Sequence, residues 1–346
     1  MSTKKLKIAI IADPEFPIPP LLYGGIERII AMLIKGYSNL GHNICLFAHR
    51  DSETPAKLFP YKGMSSSNKK DIILNSIIIN KELFSENYDV VHSFGRLAYL
   101  LPQLPTKLPK LMSYQREPSV GQIKRAFKLA RKNSLSFTGC SNYINNKILP
   151  YAPSYAIYNG VDLNMYHFKA IASEHAPLVF LGRIEPIKGT HIAIEIAKRT
   201  GKKLVIAGNV SPSYQDYFNK DVKPYLNEQI SYIGPIDDKQ KNELLGNAAC
   251  LLMPIEWNEP FGIVMAEAMA CGTPIIGFNR GSVPEVIING LNGYTCNTIN
   301  EMVDLIAKIP QLDRRKVRQD CEKRFSAEVI INQYLNLYRE LIAVHN

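Results

Sequence analysis

The sequence predicts an α/β protein with two domains, each built on a parallel sheet. Its 346 residues exceed the usual size of one domain and fit two of ordinary size. Short apolar runs alternate with amphipathic stretches in both halves, which is typical of βαβ units with buried strands. A polar segment without periodicity, at about residues 163–176, separates the two series and is the predicted linker.

The amino-terminal series starts with the apolar run Leu6–Ala12, which we interpret as a first buried strand. Helical periodicity follows over Gly25–Asn39, and apolar runs then recur up to the predicted linker. These later runs predict strands at Ile44–Ala48, Val90–His92, Lys110–Tyr114, Ser134–Cys140 and Tyr155–Tyr158.

The carboxyl-terminal series repeats the alternation, with a predicted helix at Thr190–Arg199 and a last amphipathic helix at Ala327–Val344. Its predicted strands are Leu178–Leu181, Lys203–Ala207, Ser231–Ile233, Cys250–Met253 and Pro274–Gly277. Two complete series indicate two Rossmann-like domains facing across a cleft, with ligands outside the carboxyl ends of the strands.

The amino-acid composition indicates which class of protein this is. Apolar residues make up 46% of the chain and charged residues 21%, as in a globular protein with substantial cores. No apolar run reaches the length of a transmembrane helix, and Leu6–Ala12 is too short for the apolar region of a signal peptide. The six cysteines lack the spacing of a metal or redox site. We therefore expect a cytoplasmic protein whose cysteines are reduced core side chains.

The formal net charge of +10 is compatible with nucleic acid, an anionic membrane or an anionic substrate as partner. The chain has no nucleic-acid-binding module and no interleaving of aromatic and basic side chains, which argues against nucleic acid. A predicted helix over 122–132 carries five cations in nine residues, with apolar positions 123, 126, 127 and 130 on the other side. Such a helix suits peripheral contact with an anionic membrane, and an ordinary surface helix is the alternative.

The segment Asn258–Pro274 places two carboxylates around a Phe-Gly turn. Glu259 precedes a predicted Ala/Met-rich helix, Glu267 lies within it, and Gly272 ends it. Carboxylates accept hydrogen bonds from sugar or ribose hydroxyls, and a helix amino terminus favours a diphosphate. Glu259 could instead act only as a helix-dipole partner, worth about 0.3–1 kcal/mol. Glu267 sits in a run with a buried pattern, so we expect it to hold a donor.

Candidate ligand contacts also follow the predicted strands. Gly24 and Gly25 open the first helix, where glycines let a backbone approach phosphate, although a tight turn would also explain them. Arg183 and Lys188 lie five residues apart in a loop before a helix, and both can reach one diphosphate from there. Solvated surface cations are the alternative for this pair. His92 ends a strand, where ligands gather, and a structural role is its alternative.

In order and spacing, these motifs resemble the GT-B fold glycosyltransferases of family 4, which are retaining enzymes. The resemblance runs over essentially the whole chain, and the spacing of Glu259 and Glu267 is its most diagnostic feature. The shared elements are Gly24-Gly25, Asp89–His92, Asn159–Asp162, Gly182-Arg183 with Lys188-Gly189, and Glu259 with Glu267.

The resemblance implies a role for each matching residue. Arg183 and Lys188 match the pair that neutralises the donor diphosphate. Glu259 matches the acid that contacts the transferred sugar, and Glu267 matches the acid that binds the donor ribose. Further donor contacts are implied for the glycine pair and the loop between the two acids, namely Gly24, Gly25, Phe261, Gly262 and Ile263.

The resemblance also implies a reaction without a metal or other cofactor, since the cationic pair and a helix dipole replace a metal ion. Many relatives carry a His after the strand corresponding to Lys110–Tyr114, where this chain has Gln115. Gln115 can hydrogen-bond a sugar hydroxyl but cannot shuttle a proton. Either His92 or a substrate oxygen takes the role of that base, or no side-chain base is needed. Gln115 is compatible with a same-face mechanism, in which the leaving phosphate deprotonates the acceptor. We expect acceptor or sugar contacts at His92, Gln115 and Arg116.

The sequence therefore predicts a cytoplasmic, metal-independent, retaining hexosyltransferase that uses a UDP- or GDP-linked sugar. The expected acceptor is a hydroxyl of a glycan, a lipid-linked glycan or a small molecule, as in glycan, lipopolysaccharide or glycolipid synthesis. The predicted domains are an acceptor-side domain, 1–165 with helix 327–346, and a nucleotide-sugar-binding domain, 166–326. The alternatives are a GT-B epimerase or phosphorylase and a non-catalytic nucleotide-sugar-binding protein.

Overall fold

The computed structural model describes residues 4–21 and 24–344, and the chain forms two compact units. The first unit holds the chain up to Asn159 and takes back the segment from Ala327 onward, and the second unit spans Gly160–Ser326. This division lies six residues before the predicted boundary. The segment predicted as a linker therefore lies inside the second unit.

The first unit is built on a seven-stranded sheet in which the paired strands are parallel. Its strands are β1 (Lys7–Ile11), β2 (Asn43–Ala48), β3 (Lys57–Pro60), β4 (Val90–Ser93), β5 (Lys110–Tyr114), β6 (Leu135–Gly139) and β7 (Ser154–Ala156). The helices between them are α1 (Gly25–Asn39), α2 (Lys69–Ser85), α3 (Val120–Leu129) and α4 (Asn142–Ile148). The strand order is β3-β2-β1-β4-β5-β6-β7.

The second unit repeats this plan with a six-stranded parallel sheet of order β10-β9-β8-β11-β12-β13. These strands are β8 (Leu178–Leu181), β9 (Leu204–Ala207), β10 (Ile230–Tyr232), β11 (Cys250–Met253), β12 (Ile275–Phe278) and β13 (Gly293–Cys296). The helices are α5 (Thr190–Thr200), α6 (Gln215–Tyr217), α7 (Asp238–Asn247), α8 (Ile263–Ala270), α9 (Val283–Val286), α10 (Ile299–Ile306) and α11 (Arg314–Phe325). The predicted class, two Rossmann-like α/β units, is confirmed.

The central strands of both sheets are buried on both faces. All residues of β4, β5 and β6 are buried in the first unit, and all residues of β11 and β12 are buried in the second. Parallel strands in this position are apolar at nearly every residue, with no alternation. This is why short apolar runs identified them in the sequence.

The last helix, α12 (Ala327–Ala343), is held in the first unit by a cluster of hydroxyl and imidazole groups. Tyr338 Oη lies 2.5 Å from His92 Nδ1 and 3.2 Å from Tyr37 Oη. The other ring nitrogen, His92 Nε2, lies 2.6 Å from Ser113 Oγ. His92 is fully buried, and burial lowers its pKa to about 3, so the imidazole is neutral in the folded protein.

The six cysteines are buried thiols. Burial raises the pKa of Cys250, Cys271 and Cys296 to about 12, so these sulfurs stay protonated. Within residues 4–21 and 24–344, no helix combines the length and the apolar character needed to cross a bilayer.

The buried imidazole makes stability depend on pH. The unfolded chain protonates His92 below a pKa of about 6.5 and the folded chain only below about 3, so stability falls as pH drops between these values. We expect the free energy of unfolding, measured with urea, to fall by about 2 kcal/mol between pH 7 and pH 5 because of this group. His92→Gln keeps hydrogen-bonding groups at the position and should lose that part of the pH dependence. An identical pH dependence in both proteins would contradict the assignment.

Candidate active site

The strand order of the second unit places a candidate site at the carboxyl ends of β8 and β11. The chain moves from β8 outward to β9 and β10, and then returns to pair β11 on the other side of β8. The connections after these two strands therefore diverge and leave space between them, which is the usual ligand position in open parallel sheets. Arg183 and Lys188 follow β8, and Glu259 follows β11.

Lys188 and Glu259 meet at this edge. Lys188 Nζ lies 2.6 Å from Glu259 Oε2, and only 16% and 10% of the two side chains are exposed. Trp257 Nε1 donates to the same oxygen at 3.0 Å, and Lys188 Nζ lies 4.6 Å from the Trp257 ring centroid. The carboxylate thus has two donors, and the ammonium is oriented by both the carboxylate and an aromatic face.

The backbone fixes Lys188 through the glycine that follows it. Gly189 has φ +76°, and a Cβ at this position would lie 1.9 Å from the Pro254 carbonyl oxygen. The amide of Glu256 donates to the Ile187 carbonyl at 2.8 Å. The main chains of the loops after β8 and β11 are therefore in direct contact. This contact sets the distance between Lys188 and Glu259.

Two further glycines crowd Glu259. Gly281 has φ +59°, and a Cβ there would lie 2.4 Å from the Glu259 carbonyl oxygen. The amide of Ser282 donates to the same carbonyl at 2.9 Å. Gly262 has φ +74°, and a Cβ there would lie 3.3 Å from Glu259 Cγ and 2.8 Å from a methionine methyl group. The position of the Glu259 side chain is therefore set by backbone on both sides.

Arg183 lies on the same loop as Lys188 and contacts a different acid. Arg183 Nη1 is 2.7 Å from Glu185 Oε1, with 37% of the Arg183 side chain and 5% of the Glu185 side chain exposed. The two predicted phosphate ligands thus lie on one loop at the expected edge of the sheet, each next to its own carboxylate. A bound diphosphate would compete with these carboxylates for the cations.

Glu267, on α8, is buried and holds two donors from the protein. Lys241 Nζ, from α7, lies 2.5 Å from Glu267 Oε1, and the Tyr166 hydroxyl donates to the same oxygen at 2.7 Å. We expected a donor for this carboxylate because it lies in an apolar run. The sequence offered a ligand hydroxyl for that role, whereas the structure shows that the protein supplies two donors itself.

The loop between the two acids is anchored by an aromatic contact. Phe261 is 2% exposed and packs edge-on against Phe325, with ring centroids 5.6 Å apart. Gly262 forms the left-handed cap of α8, and Ile263 is its first residue. The Phe261 side chain is therefore structural, and contact between the backbone amides of this loop and a ligand stays a prediction.

The glycine pair of the first unit opens α1. Gly24 has φ +151°, and Gly25 is the first helical residue. Glu27 lies in the first turn, where burial raises its pKa, and its carboxylate would come within 2.8 Å of a Cβ at Gly24. A carboxylate here competes with an anionic ligand for the favourable end of the helix dipole. Contact of Gly24 and Gly25 with a diphosphate stays a prediction, and Glu27 weakens it.

Gln115 and Arg116 follow β5 directly. Asn159 Nδ2 donates to Gln115 Oε1 at 2.7 Å, while Gln115 Nε2 is buried without a hydrogen-bond partner in the described part of the chain. Arg116 Nη2 lies 3.3 Å from Oδ2 of Asp13, which follows β1. Burial raises the pKa of Asp13 to about 6. Asp13 is thus a titratable acid at this edge of the first unit that the sequence reasoning missed.

The structure contradicts the expectation that His92 contacts a substrate. Its ring has no exposed surface, and its two nitrogens lie against the hydroxyls of Tyr338 and Ser113. The imidazole belongs to the packing of α12, which is the structural alternative. The sequence could not show that α12, a helix distant along the chain, covers the carboxyl end of β4.

The predicted basic helix is α3, which ends at Leu129, three residues before the predicted end. Of the apolar positions opposite the cations, Ile123 and Ala126 are buried, whereas Phe127 is 37% exposed. Lys124 Nζ lies 4.3 Å from the ring centroid of Tyr151, which follows α4.

Several side chains at the site were not predicted. Trp257 is the single tryptophan of the chain and stands two residues before Glu259, a signal that was available. Lys241 and Tyr166 lie 26 and 101 residues from Glu267, so no local pattern connects them to it. Across the described residues, no group of three or more His, Cys, Asp or Glu side chains could hold a metal ion. That the reaction needs no metal stays a prediction.

Sequence comparison relates the second unit to a family of sugar-transferring enzymes. Residues 167–325 match the model of the family described as glycosyl transferases group 1. A putative glycosyltransferase of Bacillus subtilis (strain 168), YtcC, is 24% identical over 336 residues, covering 86% of this chain and 80% of the relative. The glycogen synthase of Mycobacterium tuberculosis is 32% identical over 178 residues, covering 48% of this chain and 42% of that enzyme.

Solved structures match nearly the whole chain. AviGT4, a glycosyltransferase involved in avilamycin A biosynthesis, has a TM-score of 0.73 at 24% identity over 98% of each chain. Sucrose-phosphate synthase from Thermosynechococcus elongatus has a TM-score of 0.80 at 18% identity over 98% of this chain and 100% of that one. Anabaena HepE in complex with UDP and glucose has a TM-score of 0.73 at 18% identity over 97% and 100%. These likenesses show the GT-B fold, and the family match supports sugar transfer by a group 1 glycosyltransferase.

Two glycines that flank α5 test the contact between the loops. Gly189 and Gly201 both have left-handed backbones, φ +76° and +66°, so alanine should cost about 1–2 kcal/mol of strain at either. Only at Gly189 does the new Cβ meet the Pro254 carbonyl, while Gly201 has no atom within 4 Å. We expect Gly189→Ala to lower the free energy of unfolding by about 1–3 kcal/mol more than Gly201→Ala, measured with urea. Equal losses would show that the loops are not in contact.

Proposed function

We propose that this protein is a retaining, metal-independent glycosyltransferase of family 4. It moves a hexosyl group from a UDP- or GDP-linked donor to a hydroxyl of a glycan, a lipid-linked glycan or a small molecule, as in glycan, lipopolysaccharide or glycolipid synthesis. The observation that carries the proposal is the Lys188–Glu259 pair, 2.6 Å apart at the ligand-binding edge of the second sheet. The pair lies within the segment that matches the group 1 family.

The pair suits the two sides of a sugar–diphosphate bond. When the bond between the anomeric carbon and the phosphate oxygen breaks, negative charge grows on the leaving diphosphate. Lys188 and Arg183 lie on one loop and would stabilise this charge, a kind of contact whose loss costs about 3 kcal/mol of barrier in other enzymes. Glu259 lies beside Lys188 and would accept hydrogen bonds from hydroxyls of the sugar at the other side of the breaking bond.

A same-face reaction agrees with the side chains that are present. The acceptor oxygen would bond to the anomeric carbon on the side from which the diphosphate leaves, and the acceptor proton would pass to a phosphate oxygen. Such a reaction needs no side-chain base, which fits Gln115 after β5 and the full burial of His92. Glu259, already paired with Lys188, would then act as a hydrogen-bond acceptor. The likeness to HepE, whose structure contains UDP and glucose, supports a UDP-linked donor.

Product analysis separates this proposal from its alternatives. A panel of UDP-, GDP- and ADP-sugars is incubated with the protein, with and without cell extract as a source of acceptors. A retaining transferase releases nucleoside diphosphate only with an acceptor and keeps the anomeric configuration. An epimerase would change the sugar without an acceptor, and a non-catalytic binding protein would release no diphosphate. Turnover that EDTA abolishes would contradict the metal-free part of the proposal.

Substitutions at the site give a direct test. Lys188→Ala and Glu267→Ala should each lower turnover by roughly 100-fold or more, because they remove charge stabilisation and donor binding. Lys202→Ala removes an exposed lysine of the same unit and serves as the control, with activity near that of the unmodified protein. Urea unfolding checks that each variant is folded. Activity close to normal in both site variants would disprove the site assignment.

We also propose that the basic face around α3 contacts an anionic membrane. Residues 90–159 contain ten Lys and Arg and one acid, Glu117, so this segment carries nine of the ten net positive charges of the chain. Lys124, Arg125 and Lys128 are exposed on α3. A concentration of cations on one part of a molecule attracts anionic lipid headgroups.

Exposed apolar and aromatic side chains lie among these cations. Phe127 is 37% exposed and Leu129 65%, while Leu149 and Tyr151, which follow α4, are 53% and 38% exposed. The contact of Lys124 with the Tyr151 ring, at 4.3 Å, joins the two groups into one surface. Cations interleaved with aromatic and aliphatic side chains are typical of proteins that lie on a membrane surface. This surface therefore fits the predicted peripheral location at the inner face of a membrane.

Vesicle binding tests the membrane contact. The protein should bind vesicles of phosphatidylcholine with phosphatidylglycerol, and salt should weaken the binding. Changing Lys124, Arg125 and Lys128 together to Gln should weaken it roughly 100-fold, at about fivefold per cation. The matched control changes three exposed cations of the second unit, Lys198, Lys202 and Lys203, to Gln. Equal binding to pure phosphatidylcholine would contradict the proposal, as would a loss caused only by Ile73→Gln with Ile77→Gln on α2.

A further inference from the structure

The two oxygens of the Glu267 carboxylate have different surroundings. Oε1 accepts from Lys241 Nζ at 2.5 Å and from the Tyr166 hydroxyl at 2.7 Å. Oε2 accepts no hydrogen bond from any residue that the structure describes. The protein therefore saturates one oxygen and leaves the other able to accept from a ligand.

We infer that Lys241 and Tyr166 are positioning residues that hold Glu267 so that Oε2 receives the hydroxyls of a bound ribose. The inference rests on the proposed function and deepens its donor site. Because α8 begins beyond the carboxyl end of β11 and Glu267 lies in its second turn, the carboxylate is near the edge where ligands bind. A ribose offers two adjacent hydroxyl donors, and a fixed carboxylate oxygen is a matching acceptor.

The Lys241 ammonium is itself held in place beside the carboxylate. The side chains of Lys241 and Glu267 are 10% and 7% exposed. Asp238 Oδ1 lies 3.2 Å from Lys241 Nζ and holds the ammonium from its own helix. The second unit therefore fixes the cation next to Glu267 before a nucleotide arrives.

Stability alone gives little reason for this ion pair. The cost of removing two charges from water largely offsets their attraction inside a protein, so a buried pair contributes little to folding. The same pair has a clear effect on ligand binding, because an acceptor held in place loses no side-chain freedom when the ligand binds. The geometry thus favours a role in nucleotide binding.

Tyr166 reaches Glu267 from the segment that the sequence identified as a linker. It is 5% exposed, and its carbonyl accepts from Arg318 Nη1 at 3.2 Å. Arg318 belongs to α11, so the position of Tyr166 is fixed by packing within the second unit. The two positioning residues therefore come from separate elements and constrain the carboxylate from two directions.

Deoxynucleotides test the inference without knowledge of the acceptor. Thermal shift first selects the tightest binder among UDP, GDP and ADP, and calorimetry then compares it with its 2′-deoxy and 3′-deoxy analogues. We expect the unmodified protein to bind the ribonucleotide at least about tenfold more tightly than one of the analogues. Lys241→Met should reduce this ratio to about twofold or less, Tyr166→Phe should reduce it partly, and Lys241→Arg should retain it. The variant Lys239→Met, at an exposed lysine on the same helix, should leave it unchanged.

The ratio separates positioning from a merely structural role. If Lys241→Met weakens ribonucleotide and deoxynucleotide equally, the lysine only supports the fold and the inference is overturned. Tyr166→Phe removes only one oxygen atom. If urea unfolding shows that Lys241→Met is not folded, the ratio measured with Tyr166→Phe decides the test. An unmodified protein that binds none of the three nucleotides would overturn the proposed function together with the inference. Binding with an unaltered ratio in both variants would overturn the inference alone.

Discussion

The carboxyl ends of parallel strands all lie at the same edge of the sheet. This constraint determines where the second unit can bind a ligand. Along that edge, one neighbouring pair, β8 and β11, sends its connections to opposite sides of the sheet. Lys188 follows the first of these strands, and Glu259 follows the second. Gly189, after β8, and Gly281, after β12, each lie so close to a backbone carbonyl of the loop after β11 that a Cβ would clash with it. The ion pair is thus a result of strand order combined with two positions that exclude side chains.

The charges at this edge occur in matched pairs. Three cations, Arg183, Lys188 and Lys241, lie against the carboxylates of Glu185, Glu259 and Glu267. The attraction within each pair largely offsets the cost of removing its two charges from water. It also means that an arriving anion finds cations that are already oriented, and that it must share them with acids. A ligand with both hydroxyls and negative charge would match this arrangement, because its hydroxyls would bond to the acids while its phosphates contact the cations.

The fold was predictable where the information is local, because strands buried on both faces are continuous apolar runs. Arg183, Lys188, Glu259 and Glu267 could be located from the sequence because they stand at fixed distances from strand ends and helix boundaries, while their roles stay a prediction. Prediction failed at β3, a half-exposed edge strand, and at α2, where Ile73 and Ile77 are each 59% exposed and blur the periodicity.

Long-range partners were also beyond local reasoning. His92 lies next to the last residue of β4, near the edge where ligands gather, yet the hydroxyl of Tyr338, 246 residues further on, lies against its ring nitrogen. Lys241 has no sequence feature that links it to Glu267, because their contact exists only once α7 and α8 are packed together. The local chemistry of the candidate site was therefore visible in the sequence, while the side chains that orient it were not.

The return of α12 to the first unit makes the second unit an insertion within the first. The two crossing segments are joined to each other, since the Val161 amide donates to the Phe325 carbonyl at 2.8 Å. On a translating ribosome, the whole second unit emerges before α12 does. The His92 imidazole and the Tyr37 hydroxyl therefore lack their tyrosine partner until nearly all of this chain has been made. The first unit begins synthesis first and is completed last, because its core needs a helix that is made after the whole second unit.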